Sequence, residues 1–211
     1  NLRKYGTPIS FVRWNADSAM PTRNFQETRM PTSRAEKLSH LVYKREHIVK
    51  SFGCFSCPIH CSQFQRVERG PYAKLRGEKI ESQTIWDFGA KLGIDDPAAV
   101  LKFSLLCSEL GLDIDNTSGV IAWALECSQR GILSHRDSGG MELKWGDPQV
   151  VEELLHKIAR REGFGALLAM GSKEASRIIG KGSEKYVMHI KGQELAEELR
   201  RFKGWALGVS V

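Results

Sequence analysis

Three of the five cysteines in this 211-residue chain fall in Gly53-Cys54-Phe55-Ser56-Cys57-Pro58-Ile59-His60-Cys61. Thiols crowded at C-x2-C-x3-C spacing suit a soft metal better than a disulfide. We read the stretch as an iron–sulfur site with Cys54, Cys57 and Cys61 as metal ligands. A cubane needs four soft donors, so one ligand must come from another cysteine or from outside these residues. Gly53 and Pro58 suit a tight loop whose amides turn toward inorganic sulfide. Structural zinc, held by Cys54, Cys57, Cys61 and either His60 or a distant residue, is the competing reading. Cys107 and Cys127 lie inside apolar helical patterns and read as core.

Two further stretches carry chemistry. In Cys107-Ser108-Glu109-Leu110-Gly111-Leu112-Asp113-Ile114-Asp115-Asn116-Thr117-Ser118-Gly119, two helix ends leave backbone groups free beside carboxylates. Such carboxylates can accept the paired N–H donors of a flat heterocycle such as a pterin. A plain helix–loop–helix, with Gly111 closing one helix and Asn116 to Ser118 capping the next, has the same spacing. In His189-Ile190-Lys191-Gly192-Gln193-Glu194, strand alternation sends His189 and Lys191 to one face. An imidazole for proton transfer would then stand beside an ammonium for an anionic oxygen or a pterin. A solvated strand end would look no different.

These stretches need elements to position them, and the pattern is mainly helical. Residues 1–31 are an irregular lead-in punctuated by Gly6-Thr7-Pro8, Met20-Pro21 and Met30-Pro31, with room for one helix. From Thr32-Ser33, the spacing of Leu38, Leu41, Val42, Ile48 and Val49 predicts a helix running up to the cysteine loop. Gln63 to Val67 reads as a weak strand, and Gly70-Pro71 and Gly77 as turns. Asp96-Pro97 and Asp147-Pro148 should each start a helix, ending at Gly111 and Gly163. Between them a helix capped by Ser118 runs through Leu125 and Glu126, apolar nearly all round and therefore buried. Ala166 to Ile179 predicts another helix, Tyr186 to Ile190 a short strand, and Leu195 to Phe202 a final helix. The fold class is mainly α, a multi-helix domain with at most a small sheet.

Composition narrows the function. A content of 41% hydrophobic and 27% charged residues is ordinary for a globular domain and permits a real core. The net charge of +6 is spread among acids without a run of five like charges, which argues against nucleic acid. No apolar stretch approaches the roughly 20 residues of a membrane span, and no signal-peptide pattern opens the chain. Free clustered cysteines then favour a reducing cytoplasm. The first residue is not Met and the last run, Trp-Ala-Leu-Gly-Val-Ser-Val, is apolar, so the chain reads as an excerpt of a longer protein.

Taken in order, the stretches resemble the aldehyde ferredoxin oxidoreductase family of tungsten enzymes. The resemblance rests on Tyr5-Gly6-Thr7-Pro8, Pro21-Thr22-Arg23-Asn24-Phe25, the cysteine loop, Glu81-Ser82-Gln83-Thr84-Ile85 with Gly89 and Leu92-Gly93, Leu110 to Asp113, Ser118-Gly119, and His189 to Glu194. It implies a [4Fe–4S] cluster beside a tungsten (or molybdenum) bis-pterin, aldehyde oxidation to a carboxylic acid, and ferredoxin or an electron-transfer subunit as acceptor. It leaves room for a homo-oligomer. It implies that residues 1–211 are the helical part of a larger enzyme: 1–70 the lead-in, helix and cluster loop, 71–211 the pterin-facing part. The family's β-rich domain would precede them, and its fourth cluster cysteine would lie beyond Val211. By the resemblance His189 and Gln83 are the catalytic positions, and Ser108, Gly111, Leu112, Asp113 and Lys191 bind the cofactor. Three departures stand out. Ser108 replaces the leading acid of the first pterin loop, Gln83 replaces a glutamate near tungsten, and the usual D-P-R turn is absent around Glu197-Glu198-Leu199-Arg200. A branch with another substrate or a reductive direction is the alternative, as is a zinc-stabilised interaction module.

Overall fold

The computed structural model describes every residue except Lys79 and Glu197, and it is mainly helical with two small antiparallel sheets. The lead-in holds more helix than the one its sequence allowed: α1 (Leu2–Tyr5), a 3-10 turn (Thr7–Ser10), α2 (Phe11–Ala16) and α3 (Thr22–Phe25). α3 is helical only in part, because Arg23, Asn24 and Phe25 take left-handed φ values of 48°, 54° and 64°. That backbone costs about 1–2 kcal/mol per residue outside glycine. It is anchored by Asn24, whose Nδ2 donates to Glu126 Oε2 (2.7 Å) and to the Tyr186 carbonyl (3.0 Å).

The helix expected from Thr32 to Val49 is two helices and a strand. α4 (Thr32–Lys37) stops at Leu38, and α5 (His40–Glu46) restarts where Ser39 Oγ accepts the Val42 N–H. Ile48 and Val49 belong to β1 (Ile48–Phe52), which pairs with β2 (Ser62–Arg66), which in turn pairs with β3 (Arg76–Glu78). β-branched residues facing a paired neighbour favour the pleat over the helix that their spacing suggested. The cysteine loop is therefore a hairpin connection entered from a strand. Gly77 lies inside β3 instead of marking a turn. A Cβ there would fall 2.0 Å from Leu105 Cδ2, so glycine lets the sheet approach the next long helix.

α6 (Ser82–Thr84) continues without a break into a π-helix (Ile85–Lys91) whose every residue is buried. The two Asp-Pro starts are as expected. Asp96 accepts the Ala98 N–H (2.9 Å) to open α7 (Pro97–Leu110), which ends at left-handed Gly111. α8 (Ile114–Gln129) is the central helix, buried from Thr117 to Cys127. Its cap is Asp113, which accepts the Asn116 N–H at 2.7 Å, and not Ser118, which lies a turn inside the helix. α9 (Pro148–Arg160) opens from Asp147 and closes at left-handed Arg161, two residues before the expected Gly163.

The helix expected over Ala166–Ile179 is split into α10 (Phe164–Leu168) and α11 (Ser172–Ile179) by Gly171, at φ 81°. A 3-10 turn (Ser183–Tyr186) replaces the start of the expected strand, leaving β4 (His189–Ile190) paired with β5 (Gln193–Glu194). Among the described residues of Leu195–Phe202 there is no helix. Glu198 accepts the Arg200 N–H (2.8 Å) and Nε (2.7 Å), a local turn that competes with helical bonding. The last helix, α12, is Lys203–Ser210. The core gathers Phe11, Met20, Leu38, Phe88, Phe103, Trp123 and Leu154 around α8, with Trp123 Nε1 donating to the Ser183 carbonyl. Cys107 and Cys127 are fully buried there, and burial pushes both thiols up to about 12.

Candidate functional site

The start of α6 and the start of α8 meet at one contact. Gln83 Nε2 donates to both oxygens of Asp115, at 2.7 and 2.6 Å. This pair forms a wall between two openings. On one side is a cavity of about 470 Å³ lined by Gln83, Asp115, Ile190, Lys191, Leu195 and Trp205. On the other is a groove of about 290 Å³ where Gln83 and Asp115 meet Leu112 and Asp113. The structure thus brings Gln83 together with Leu112, Asp113 and Lys191, which lie far apart in sequence.

Other expected residues stand differently. Ser108 is exposed and donates its hydroxyl to the Ser104 carbonyl (3.1 Å), a bond within its own helix. Gly111 supplies the left-handed turn, after which the Leu112 N–H returns to the Cys107 carbonyl (2.8 Å). Asp113 is exposed, and its Oδ1 takes both the backbone N–H and the Nδ2 of Asn116. His189 and Lys191 do not share a face. Lys191 (φ 55°) and Gly192 (φ 99°) form the two-residue turn of the β4–β5 hairpin, and alternation stops where a turn begins. The His189 ring lies outside the cavity, with Nδ1 accepting the Gly192 N–H (3.2 Å), so its ring proton is on Nε2. The Lys191 ammonium donates to the Val211 carbonyl.

Behind Gln83 lies a buried polar cluster that the sequence reading missed. Lys91 and Asp87 are both fully buried and form an ion pair inside the π-helix. Ser118 Oγ donates to Asp87 Oδ1 (2.9 Å), and Lys91 Nζ donates to Ser118 Oγ (3.2 Å) and to the Leu195 carbonyl (3.3 Å). Asp87 Oδ2 faces no donor. Burial raises the Asp87 carboxyl well above its ordinary range, Lys91 opposes this, and the adjacent Asp115 carboxyl adds to it. A four-residue Asp–Lys spacing in an otherwise apolar stretch was the available signal. The hairpin is fixed from below by Glu194, which accepts Ser172 N–H (2.7 Å) and Oγ–H (2.8 Å) at the head of α11.

The cysteine loop is a separate centre. Cys54 is exposed, Cys57 and Cys61 are half-buried, and Cys54 Sγ lies 3.9 Å from Ser62 Oγ. Left-handed Ser56 and His60 shape the loop, and the His60 ring packs against Gly53, where a Cβ would fall 2.9 Å from it. Among the described residues no three His, Cys, Asp or Glu side chains close around a common point. The donor set, three thiols on one accessible turn, still fits a soft metal in kind. Gly6 and Thr7 link this loop to the cavity wall. A Cβ on Gly6 would lie 3.1 Å from the Cys61 carbonyl, and Thr7 Oγ1 accepts the Ser82 N–H (3.1 Å) next to Gln83.

The fold is thus a helical scaffold that carries an accessible thiol loop and, as a separate centre, a cavity of mixed polar and apolar lining. The family model described as aldehyde ferredoxin oxidoreductase, domains 2 and 3, matches residues 1–211, and the chain belongs to that family of tungsten oxidoreductases. The tungsten-containing aldehyde ferredoxin oxidoreductase of Pyrococcus furiosus is 32% identical over 212 residues, covering 100% of this chain and 34% of that protein. The Pyrococcus abyssi enzyme of the same name is 33% identical over 215 residues, with the same coverage. The WOR-like subunit of an aliphatic sulfonate oxidoreductase from Pyrococcus furiosus is 36% identical over 197 residues, covering 90% of this chain and 31% of that protein. The chain thus spans about a third of the length of the curated relatives it matches. Among solved structures, the active-site complex BamBC of benzoyl coenzyme A reductase, bound to 1,5-dienoyl-CoA, shares the fold. Its TM-score is 0.70 at 24% identity, covering 86% of this chain and 27% of that one. No described helix is long and apolar enough to cross a membrane.

Proposed function

We propose that this chain is the helical part of a tungsten–pterin oxidoreductase that oxidises an aldehyde to a carboxylic acid in the cytoplasm and passes electrons to a ferredoxin or an electron-transfer subunit. One observation supports this reading most directly. Gln83 joins Leu112 and Asp113 in one opening and Lys191 in the next, so three of the five residues assigned to the pterin adjoin this catalytic position. When bound, the metallopterin supplies the two-electron redox centre and the Lewis acid. Asp113 and the Leu112 backbone would hold pterin N–H groups, and Lys191 its anionic oxygens. Gln83 cannot titrate, and with its amide held by Asp115 it orients water or substrate. His189 Nε2 is the ring nitrogen left to move a proton. Cys54, Cys57 and Cys61 would hold three corners of a [4Fe–4S] cluster. Cys107 and Cys127 are enclosed in the core, so the fourth donor comes from elsewhere in the enzyme.

Metal analysis of the anaerobically purified full-length protein tests this. Tungsten with iron and sulfide supports it, together with aldehyde-dependent reduction of ferredoxin. Zinc alone, one per chain, would end it. A second reading is a branch that acts on another substrate or works in the reductive direction. It is favoured by the glutamine at position 83 and by the aliphatic sulfonate relative. Assays in both directions with the same preparation separate the two.

A further inference from the structure

Asp87 and Asp115 sit on different elements, the π-helix and α8, yet Ser118 Oγ, which donates to Asp87 Oδ1 (2.9 Å), also lies 3.1 Å from the Asp115 carbonyl, and the Asp115 carboxyl is close enough to act on that of Asp87. Asp87 Oδ1 is occupied by Lys91 and Ser118, whereas Asp87 Oδ2 is fully buried and finds no donor. Both Asp115 oxygens already accept from Gln83. Two ionised carboxylates cannot face each other out of water, and an orphaned buried oxygen is expensive. A single proton on Asp87 Oδ2 removes both penalties, because a carboxylic acid donates to its neighbour.

We infer that Asp87 and Asp115 hold one proton between them behind Gln83, and that Asp115, which faces the cavity, exchanges this proton with the bound substrate. The inference rests on the reading of that cavity as the substrate site. It supplies at one remove the titratable proton that an amide at position 83 cannot carry. In delivery, the carboxyl O–H bond breaks, a new bond forms between the proton and the substrate atom, and the pair's charge goes from −1 to −2. In the opposite direction the emptied pair takes the proton back. The second negative charge is held by the Lys91 ammonium, the Ser118 hydroxyl and the Gln83 amide. Lys91 itself faces the Leu195 carbonyl and feels Glu194 from β5. The other elements packed on the π-helix, α3, α6 and α7, place no charged group among those acting on Asp87. Asp115 is the exchanging group and Asp87 a positioning residue.

The test uses the full enzyme, without and with its cofactors. Infrared difference spectra of the cofactor-free protein should show a protonated carboxyl at neutral pH that is lost in Asp87→Asn and titrates lower in Asp115→Asn. Asp115→Asn keeps an oxygen for Gln83 and lies at a half-buried position, so it should fold. In the loaded enzyme Asp115→Asn should lower kcat about 100-fold, the scale of general acid–base catalysis, with little change in KM and a displaced pH–rate limb. The inference is overturned if wild type shows no such carboxyl, or if the band moves while the pH–rate profile does not. An enzyme that holds tungsten but turns over neither an aldehyde nor a reducible substrate would overturn the proposed function instead, and the infrared result would still decide the shared proton.

Discussion

Gln83 Nε2 stands 2.7 and 2.6 Å from the two oxygens of Asp115, so the amide on α6 is clasped by the carboxylate that begins α8. Gln83→Glu replaces that donor with a second carboxylate. The loss of a hydrogen bond to a charged group, about 1.5–3 kcal/mol, should appear as a lower urea midpoint at pH 8. At pH 5 the deficit should shrink, because one carboxyl of the new pair takes up a proton. An equal deficit at both pH values would contradict the clasp.

The buried Asp87–Lys91 pair makes a sharper prediction for stability. Lys91→Met removes the buried cation that balances the single negative charge shared by Asp87 and Asp115, and should cost about 3–5 kcal/mol at neutral pH. The double variant Asp87→Leu/Lys91→Met should recover most of that loss, since matched apolar groups need no desolvated charge. Denaturant titration of the three proteins measures both numbers.

Gly119 gives a steric prediction. A Cβ at this position would fall 2.7 Å from Glu194 Cβ, so Gly119→Ala must push β5 away from α8. We expect a loss of about 1–3 kcal/mol, and faster amide exchange at the Ser172 N–H that Glu194 accepts. Unchanged exchange there would show that the hairpin is not seated by this contact.

Acid–base linkage has a definite sign here. Burial, the largest cause, raises the Glu194 carboxyl, against the Ser172 N–H and hydroxyl that lower it; Asp87 is raised by burial as well. A group that binds its proton more tightly when folded contributes stability that is complete below its unfolded pKa, about 4. That contribution is lost as pH rises through the raised folded value. Urea midpoints should therefore fall as pH rises above the ordinary carboxylate range, with Glu194→Gln flattening the slope.

The thiols should separate by accessibility. In the metal-free protein, iodoacetamide should label Cys54, Cys57 and Cys61 while the chain is folded. Cys107 and Cys127, enclosed and held as thiols up to about 12, should react only after unfolding. Labelling of either in the folded state would also reopen their candidacy as a cluster ligand.

Much of the helical frame was legible because its signals are local. Asp96-Pro97 and Asp147-Pro148 carry both cap and first-turn residue in adjacent positions, and the apolar run of α8 announced its burial. What escaped depends on partners distant in sequence. Ile48 and Val49 have helical spacing, but pairing with Ser62–Arg66 makes them a strand. Gly77 signals a turn until Leu105 is known to lie against it. Gln83, Asp113 and Lys191 could be named from a resemblance, whereas their meeting at one wall could not be. The proton-holding group proposed beside them was hidden for the same reason, since Asp87 and Asp115 are neighbours only once the π-helix packs on α8.

Gly6 and Thr7 make the thiol loop and the cavity wall parts of one mechanism of alignment. Gly6 has room only for a glycine beside the Cys61 carbonyl, and the next residue, Thr7, accepts the Ser82 N–H beside Gln83, so two adjacent residues lie between the centres. Part of the positioning of the two sites relative to each other is therefore local, made by residues near position 6. A side chain introduced at Gly6 would press on the thiol loop, and loss of the Thr7 hydroxyl would free the Ser82 N–H at the cavity wall, so substitutions at two neighbouring positions reach both centres.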